Sequence, residues 1–315
     1  MRILFAGTPQ VAVPTLRALS EHFEIGAVLT NTDKPGARGK ALVASAVKTE
    51  AVALGLRVLQ YDRLGSQARA EVAETGCDTL VCFAYGRLFG PKFLSLFSGE
   101  TLNIHPSLLP QLRGPSPIQG SILNQLPESG ISIQRIAKEM DSGDLLECER
   151  FFLQGDETSE SLSSFVSMKA ADLAVRALLD LQAGKARFSK QEGQASYTTL
   201  ITAEMSVVDF SKTAKEIHAL IRALYPWPKA RTLYNGQSLL LTGVYGTVFE
   251  AGEEKVDADI PVGTVVRKQK GKGIAIATGD GLLWVTSLQL EKRKEMDWSS
   301  FLNGNQGFLG ARLGW

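Results

Sequence analysis

Cysteine is scarce in this sequence and unpaired in pattern: Cys77, Cys82 and Cys148 are an odd three, and no C-x-x-C occurs. That excludes a disulfide scaffold and a zinc knuckle, and fits a reducing compartment. Histidine is as rare, three in 315 residues, with no H-E-x-x-H, so no metal site is expected. No elbow motif presents a serine or cysteine nucleophile, and a single Gly7 after the first apolar run is no dinucleotide fingerprint. Long apolar runs are missing too. The N-terminal one, Ile3 to Ala6, is too short for a signal peptide, and none approaches membrane-spanning length. Net charge is only +1, so the chain is not globally a polyanion binder, although local patches can be. A cytoplasmic protein without membrane contact is expected, long enough to bury two cores.

What is present is alternation. Nearly continuous apolar runs at 2–6, 23–30, 57–60 and 79–84 read as strands covered on both faces. Helical stretches between them stop at Gly55 and Gly76. Further strands are expected at 101–104, 131–137 and 145–153, then a long helix capped by Thr158 and ending near Gly184. Residues 1–184 therefore predict a doubly wound α/β domain. Residues 185–211 show no sustained periodicity and read as a linker. Thr213 and Glu216 then form a capping box, with Ile217, Leu220, Ile221 and Leu224 at helical spacing behind it. His218 lies beside that stripe, as a surface or boundary residue. Asn235-Gly236, Gly271 to Gly273 and Asp280-Gly281 are turn signals between short strands, so residues 212–315 predict an OB-like β-barrel domain.

The chemistry concentrates in Asn103-Ile-His-Pro-Ser-Leu-Leu-Pro-Gln-Leu-Arg-Gly114. Strand alternation aims Asn103 and His105 at one face, and Pro106, Pro110, Pro115 and Pro117 stiffen the loop that follows. Asp141 and Asp144 flank a turn after a later strand, where they could meet His105 across one sheet edge. An amide can donate to a developing oxyanion, an imidazole can move a proton near neutral pH, and a carboxylate can orient that imidazole. Acyl transfer to an amine uses these parts without a covalent enzyme intermediate. Two basic stretches suit a polyanion. Lys34, Arg38 and Lys40 against Asp33 give a glycine-rich loop a net +2. Residues 267–294 carry Arg267, Lys268, Lys270, Lys272, Lys292, Arg293 and Lys294 against Asp280 and Glu291, a net +5, just after an acidic run at 250–259.

With these motifs the chain resembles the formyltetrahydrofolate-dependent formyltransferases. Asn103-x-His105, Ser107-Leu-Leu-Pro-x-x-Arg-Gly114 and Met140-Asp-x-Gly-Asp144 carry the resemblance, which runs over essentially the whole chain. It implies a Rossmann-like catalytic domain with Asn103, His105 and Asp141 as the catalytic set. It also implies a site for 10-formyltetrahydrofolate, the formyl donor, built by Tyr85, Gly86, Arg87, Leu88, Ser107, Leu108, Leu109, Pro110 and Asp144, with no metal. The loop 33–40, the segment Ile221-Arg-Ala-Leu-Tyr-Pro-Trp-Pro228 and the β-rich C-terminal domain are similar to the branch acting on methionyl initiator tRNA. In that branch Arg38 would touch the acceptor end, with Lys34, Lys40, Arg267, Lys268, Lys270 and Lys272 as further tRNA contacts on a monomeric enzyme of translation initiation. Gly90 before Pro91, and Leu200, Ala203 and Phe210 where the family commonly has lysines and a tryptophan, depart from its pattern. They concern the linker more than the chemistry. A sugar-nucleotide formyltransferase would keep the three site residues but lack the tRNA loop and barrel. An idle RNA-binding protein would have no use for the intact set.

Overall fold

The computed structural model describes residues 1–36, 41–257 and 259–314. They form two compact units, one of Met1–Pro117, Ser129–Phe151 and Ser163–Thr198, the other of Ile118–Glu128, Phe152–Leu162 and Thr199–Trp315.

In chain order the first elements are β1 (Arg2–Gly7), α1 (Val13–His22), β2 (Glu24–Thr30), the small hairpin of β3 (Lys34–Pro35) and β4 (Leu42–Val43), α2 (Ala46–Ala53) and β5 (Val58–Gln60). Next come α3 (Ser66–Ala73), β6 (Thr79–Phe83), α4 (Pro91–Leu94), β7 (Thr101–His105), α5 (Pro117–Leu123), β8 (Glu128–Arg135), β9 (Leu145–Phe152) and α6 (Ser159–Gln182). Local chemistry sets the helix ends. Ser45 accepts from the Lys48 amide to start α2, and Gly55 and Gly76 take the left-handed φ of 69° and 66° just after α2 and α3.

The sheet has the order β5-β2-β1-β6-β7-β8-β9. β5, β2, β1, β6 and β7 are mutually parallel, and β8 runs antiparallel to β7. Its parallel part is buried on both faces, as near-continuous apolar strands require. Leu4, Ala6, Ala27, Leu29, Leu80 and Cys82 pack with Val72 of α3 and Phe93 of α4 on one face, while Ile3, Phe5, Val28 and Val81 are buried on the other. Removing each leucine, isoleucine, valine or phenylalanine among them from water contributes about 1.5–3 kcal/mol.

The second unit contains α7 (Ala214–Ala223), β10 (Ala230–Tyr234), β11 (Gln237–Val244), β12 (Val265–Gln269), β13 (Gly273–Ala277), β14 (Leu282–Leu290), β15 (Met296–Asp297) and α8 (Trp298–Gly304). The capping box of Thr213 and Glu216 forms. Asn235 and Gly236, with φ of 48° and 74°, make the two-residue turn that joins β10 to β11. The antiparallel order is β10-β11-β14-β13-β12, with β15 on β14. The C-terminal segment links the two ends of that order: Ala311 O accepts from Val265 N, Leu313 N donates to Gly263 O, and Gly314 N to Leu233 O. Edge backbone is thereby paired and the sheet curls toward a barrel. Ile217 and Ile221 of α7 and Phe301 of α8 share its core with Leu239, Leu241, Ile274, Ile276 and Val285.

His218 does not sit at the surface as its place beside the apolar stripe predicts. It is 1% exposed, and its Nδ1 accepts from Nε of Arg222 at 3.0 Å. Arg222 also donates to the Glu157 carbonyl at 2.7 Å. Burial, and then the Arg222 cation, push the His218 pKa down to about 4. Helical spacing alone could not foresee that chain from residues 155–157 and 245–250 would also cover this flank of α7.

Candidate active site

Asn103 and His105 emerge on one face of β7, and Asp141 meets both. Asn103 Nδ2 donates to Asp141 Oδ1 at 3.3 Å, and His105 Nδ1 lies 3.6 Å from Asp141 Oδ2. The route differs from a meeting of two strand ends at one edge. Because β8 is antiparallel, it leaves β7 toward the opposite edge, pairing His105 with Ser132 but Leu102 with Arg135. The turn between β8 and β9 then folds back, so that Gln134, paired with Asn103, donates to Asp141 Oδ1 at 2.9 Å. Gly114 N completes the set with a bond of 2.8 Å to Asp141 Oδ2. Three N–H groups thus donate to one carboxylate.

The imidazole is 4% exposed. Its Nε2 lies 2.9 Å from the Leu112 carbonyl, which can only accept, so Nε2 carries the proton and Nδ1 keeps a lone pair on the Asp141 side. Burial lowers the His105 pKa, while Asp141 and the Leu112 carbonyl pull it back up. A neutral ring at neutral pH follows, with a proton-accepting atom beside a fixed negative charge. Asp141 itself has φ 53° and Leu112 φ 56°, left-handed values that neither side chain favours and that surrounding bonds must hold.

Those bonds come largely from residues that sequence reading assigned to a linker. Ser196 Oγ accepts from Leu112 N at 2.9 Å, Ser196 O from Arg113 N at 2.9 Å, and Arg113 O from Thr198 N at 2.7 Å. Gln191 reaches Arg113, Gln134 and the backbone of the Asp141 turn. Sequence reasoning missed Gln134 and Gln191, because an amide in a strand and another in an aperiodic stretch carry no motif. Only the period-2 register of Gln134 opposite Asn103 could have signalled the first.

The residues expected at the folate site divide. The 84–90 segment leaves the C-terminal end of β6, where Phe83 pairs with Ile104, one residue before His105. Tyr85 turns its ring into the core, stacking on Phe89 at 5.4 Å, and offers only backbone to a ligand. Gly86 has φ 80°, Arg87 donates to the Tyr61 and Asp62 carbonyls, and Leu88 stands 78% exposed. Such a segment, backbone groups beside an uncovered apolar side chain, fits a flat heterocycle. Ser107 donates to the Gln111 carbonyl at 2.6 Å, Leu108 packs against Gly130, and Leu109, buried and joined by a cis bond to Pro110, donates its N–H to Ser132. These shape the loop. Asp144 is not gathered into the triad; it pairs with Lys190 at 2.8 Å.

Among the residues expected to touch tRNA, Arg38 and Lys40 lie outside the described residues. Lys34 is exposed in the β3–β4 hairpin, while Asp33, the anion counted against that loop, is tied to Lys48 at 2.6 Å. In the second unit the acidic run folds onto the basic strand. Glu254 pairs with both Arg267 and Lys272, at 2.6 Å for the latter, and accepts from the Trp284 indole. Lys268 and Lys270 are exposed, and neither makes an ion pair among the described residues.

An Asn, a His and an Asp that meet at one point of an α/β sheet have the parts that direct acyl transfer uses. The family models described as "Formyl transferase" and "Formyl transferase, C-terminal domain" match residues 1–178 and 200–306. Methionyl-tRNA formyltransferases of Lachnospira eligens and Treponema denticola are 38% and 36% identical, the first covering 100% of both chains and the second 98% of both. The chain belongs to the methionyl-tRNA formyltransferase family. In fold it is also similar to the N-formyltransferase from Helicobacter canadensis solved with folinic acid and dTDP-3-aminofucose, with a TM-score of 0.65, 18% identity, and 93% and 99% of the two chains covered. HypX from Aquifex aeolicus, solved with tetrahydrofolic acid, aligns with a TM-score of 0.62 and 18% identity over 98% of this chain and 48% of that one. Among the described residues no helix is long and apolar enough to cross a membrane.

Proposed function

We propose that this chain transfers the formyl group of 10-formyltetrahydrofolate to the α-amine of methionyl initiator tRNA by direct attack, for use in translation initiation. The convergence of Asn103 and His105 on Asp141, at 3.3 and 3.6 Å, is the observation that carries this assignment. The attacking amine must be neutral, and α-amino groups have a reference pKa of about 7.7–8.0, so its deprotonation costs little near pH 7. As the amine nitrogen bonds to the formyl carbon, the carbonyl oxygen becomes an oxyanion. One N–H of the Asn103 amide is held by Asp141, and the second is the donor for that oxygen. The proton shed by the amine passes to Nδ1 of His105. Both ring N–H groups then have acceptors, the Leu112 carbonyl and the Asp141 carboxylate. Collapse breaks the bond to N10 of the folate, which takes the proton from His105, so the base is returned as it began.

In this assignment the 84–90 segment and the Ser107–Pro110 loop shape the folate site, and Lys34, Arg38, Lys40, Lys268 and Lys270 contact tRNA phosphates. Residues 1–184 act as the catalytic domain, 185–211 as the linker and 212–315 as the tRNA-binding domain of a cytoplasmic monomer. The test is formyl transfer from 10-formyltetrahydrofolate to methionyl initiator tRNA, beside an amino-sugar nucleotide offered at the same concentration. Saturable formylation of the charged tRNA alone is expected. Transfer to the sugar nucleotide instead, or to neither acceptor, overturns the assignment.

A further inference from the structure

Gln191 itself lies outside every strand of the sheet, yet its single amide meets three segments of the site. Its Nε2 lies 2.8 Å from the Asp141 carbonyl, 2.8 Å from the Gly143 carbonyl and 3.2 Å from Gln134 Oε1. Its Oε1 accepts from Arg113 Nε at 3.2 Å and Nη2 at 2.6 Å. A guanidinium has no acceptor, so Arg113 fixes which end of the amide faces it and leaves Nε2 to the turn carbonyls. The turn needs such a hold. Asp141 keeps a left-handed φ of 53°, and Gly143 passes so close to the Arg135 carbonyl that a Cβ could not fit. Gln134 braces the same turn, accepting from Gly143 N at 3.1 Å while donating to the Asp141 side chain.

We propose that Gln191 is a positioning residue for the transfer reaction: by donating to the Asp141 and Gly143 carbonyls, it fixes the left-handed turn that keeps the Asp141 carboxylate beside Nδ1 of His105. This rests on the roles given above to Asn103, His105 and Asp141. Without the amide, two carbonyls lose their donor, the turn relaxes toward commoner backbone angles, and the carboxylate draws away from the ring. Because the Asp141 charge opposes the burial that lowers the His105 pKa, its withdrawal takes the titration midpoint of His105 further down. The imidazolium formed during transfer also loses its counter-charge.

The chain has three histidines, His22, His105 and His218, so ¹⁵N spectra of the imidazoles give one titration for each. The wild-type protein is compared with Gln191→Ala and Gln191→Glu. The glutamate is isosteric and keeps the acceptor for Arg113, but cannot donate to the two carbonyls. Both variants are expected to lower the His105 midpoint and leave His22 and His218 in place. Turnover should fall by roughly 10- to 100-fold, the scale of a catalytic group displaced by about 1 Å, with kcat affected more than either KM. A Gln191→Glu protein that titrates and turns over like the wild type overturns the proposal. So does a His105 midpoint that stays put while turnover falls, which marks a merely structural side chain. If Gln191→Ala fails to fold, the isosteric variant alone decides. The titration needs no substrate, so a shifted His105 in a protein unable to formylate charged tRNA would sink the substrate assignment and leave the positioning role standing.

Discussion

At the scale of single residues, the site depends on groups that act together. His105→Ala, Asn103→Ala and Asp141→Ala are each expected to lower kcat by roughly 10²-fold or more, the magnitude of one lost general base or oxyanion donor. The double variant His105→Ala/Asp141→Ala should be little worse than either single change, since the carboxylate acts through the ring. Steady-state kinetics on folded variants checks this, and near-normal turnover in any single variant removes that residue from the set. His218 predicts a pH dependence of stability. Its folded pKa of about 4 lies below the ordinary 6.5, so the unfolded chain binds more protons between these values. Stability is then full above about pH 6.5 and falls as pH drops through 6.5 toward 4, by up to roughly 3 kcal/mol from this residue. His105, also lowered, adds in the same direction. Urea unfolding at pH 7.5 and pH 5 measures the loss, and His218→Asn, which cannot protonate there, should show a smaller one.

At the scale of elements, the loop from Pro106 to Gly114 is shaped less by its prolines than by the strand-like stretch 196–198 beside it. Gly114 has φ 106°, and a Cβ there would meet the Thr198 carbonyl. Gly114→Ala should therefore push loop and stretch apart, loosen the Gly114 N–H bond to Asp141, and cost about 1–3 kcal/mol in stability. A matching drop in kcat is expected, with thermal unfolding and kinetics measured on the same preparation. An alanine variant of unchanged stability and turnover would mean that the loop holds itself. The elements legible in the sequence are those fixed by local chemistry. Gly55, Gly76, the Thr213–Glu216 box and the Asn235-Gly236 turn all act where their residue types predict.

At the scale of the whole molecule, charge is distributed differently from its count along the chain. The net +5 of residues 267–294 is reduced where Glu254 neutralises Arg267 and Lys272, leaving Lys268 near the end of β12 and Lys270 in the turn after it without an ion pair among the described residues. Lys268→Ala/Lys270→Ala is expected to raise the KM for tRNA and to lessen its salt dependence, by about one unit of log–log slope for each phosphate no longer neutralised. The KM for 10-formyltetrahydrofolate should not move. If tRNA kinetics and their salt slope are unchanged, this strand end and turn do not face the nucleic acid.

The sequence by itself determined the two sheets, their helix stops and turns, and the placing of Asn103 and His105 on one strand face, while Asp141 rather than Asp144 was singled out by the family resemblance. Strand periodicity, capping chemistry and the spacing of Asn103 and His105 are local properties, readable in a few consecutive residues. Tertiary structure alone decided that β8 runs antiparallel and sends its turn back over Asn103. It also decided that Gln191, Ser196 and Thr198 belong to the site, that His218 is buried, and that Glu254 neutralises the basic strand. Each of these is a contact between residues far apart in the chain or on different elements. Such contacts follow from how strands pair and what covers a helix, and no pattern within a single segment specifies them.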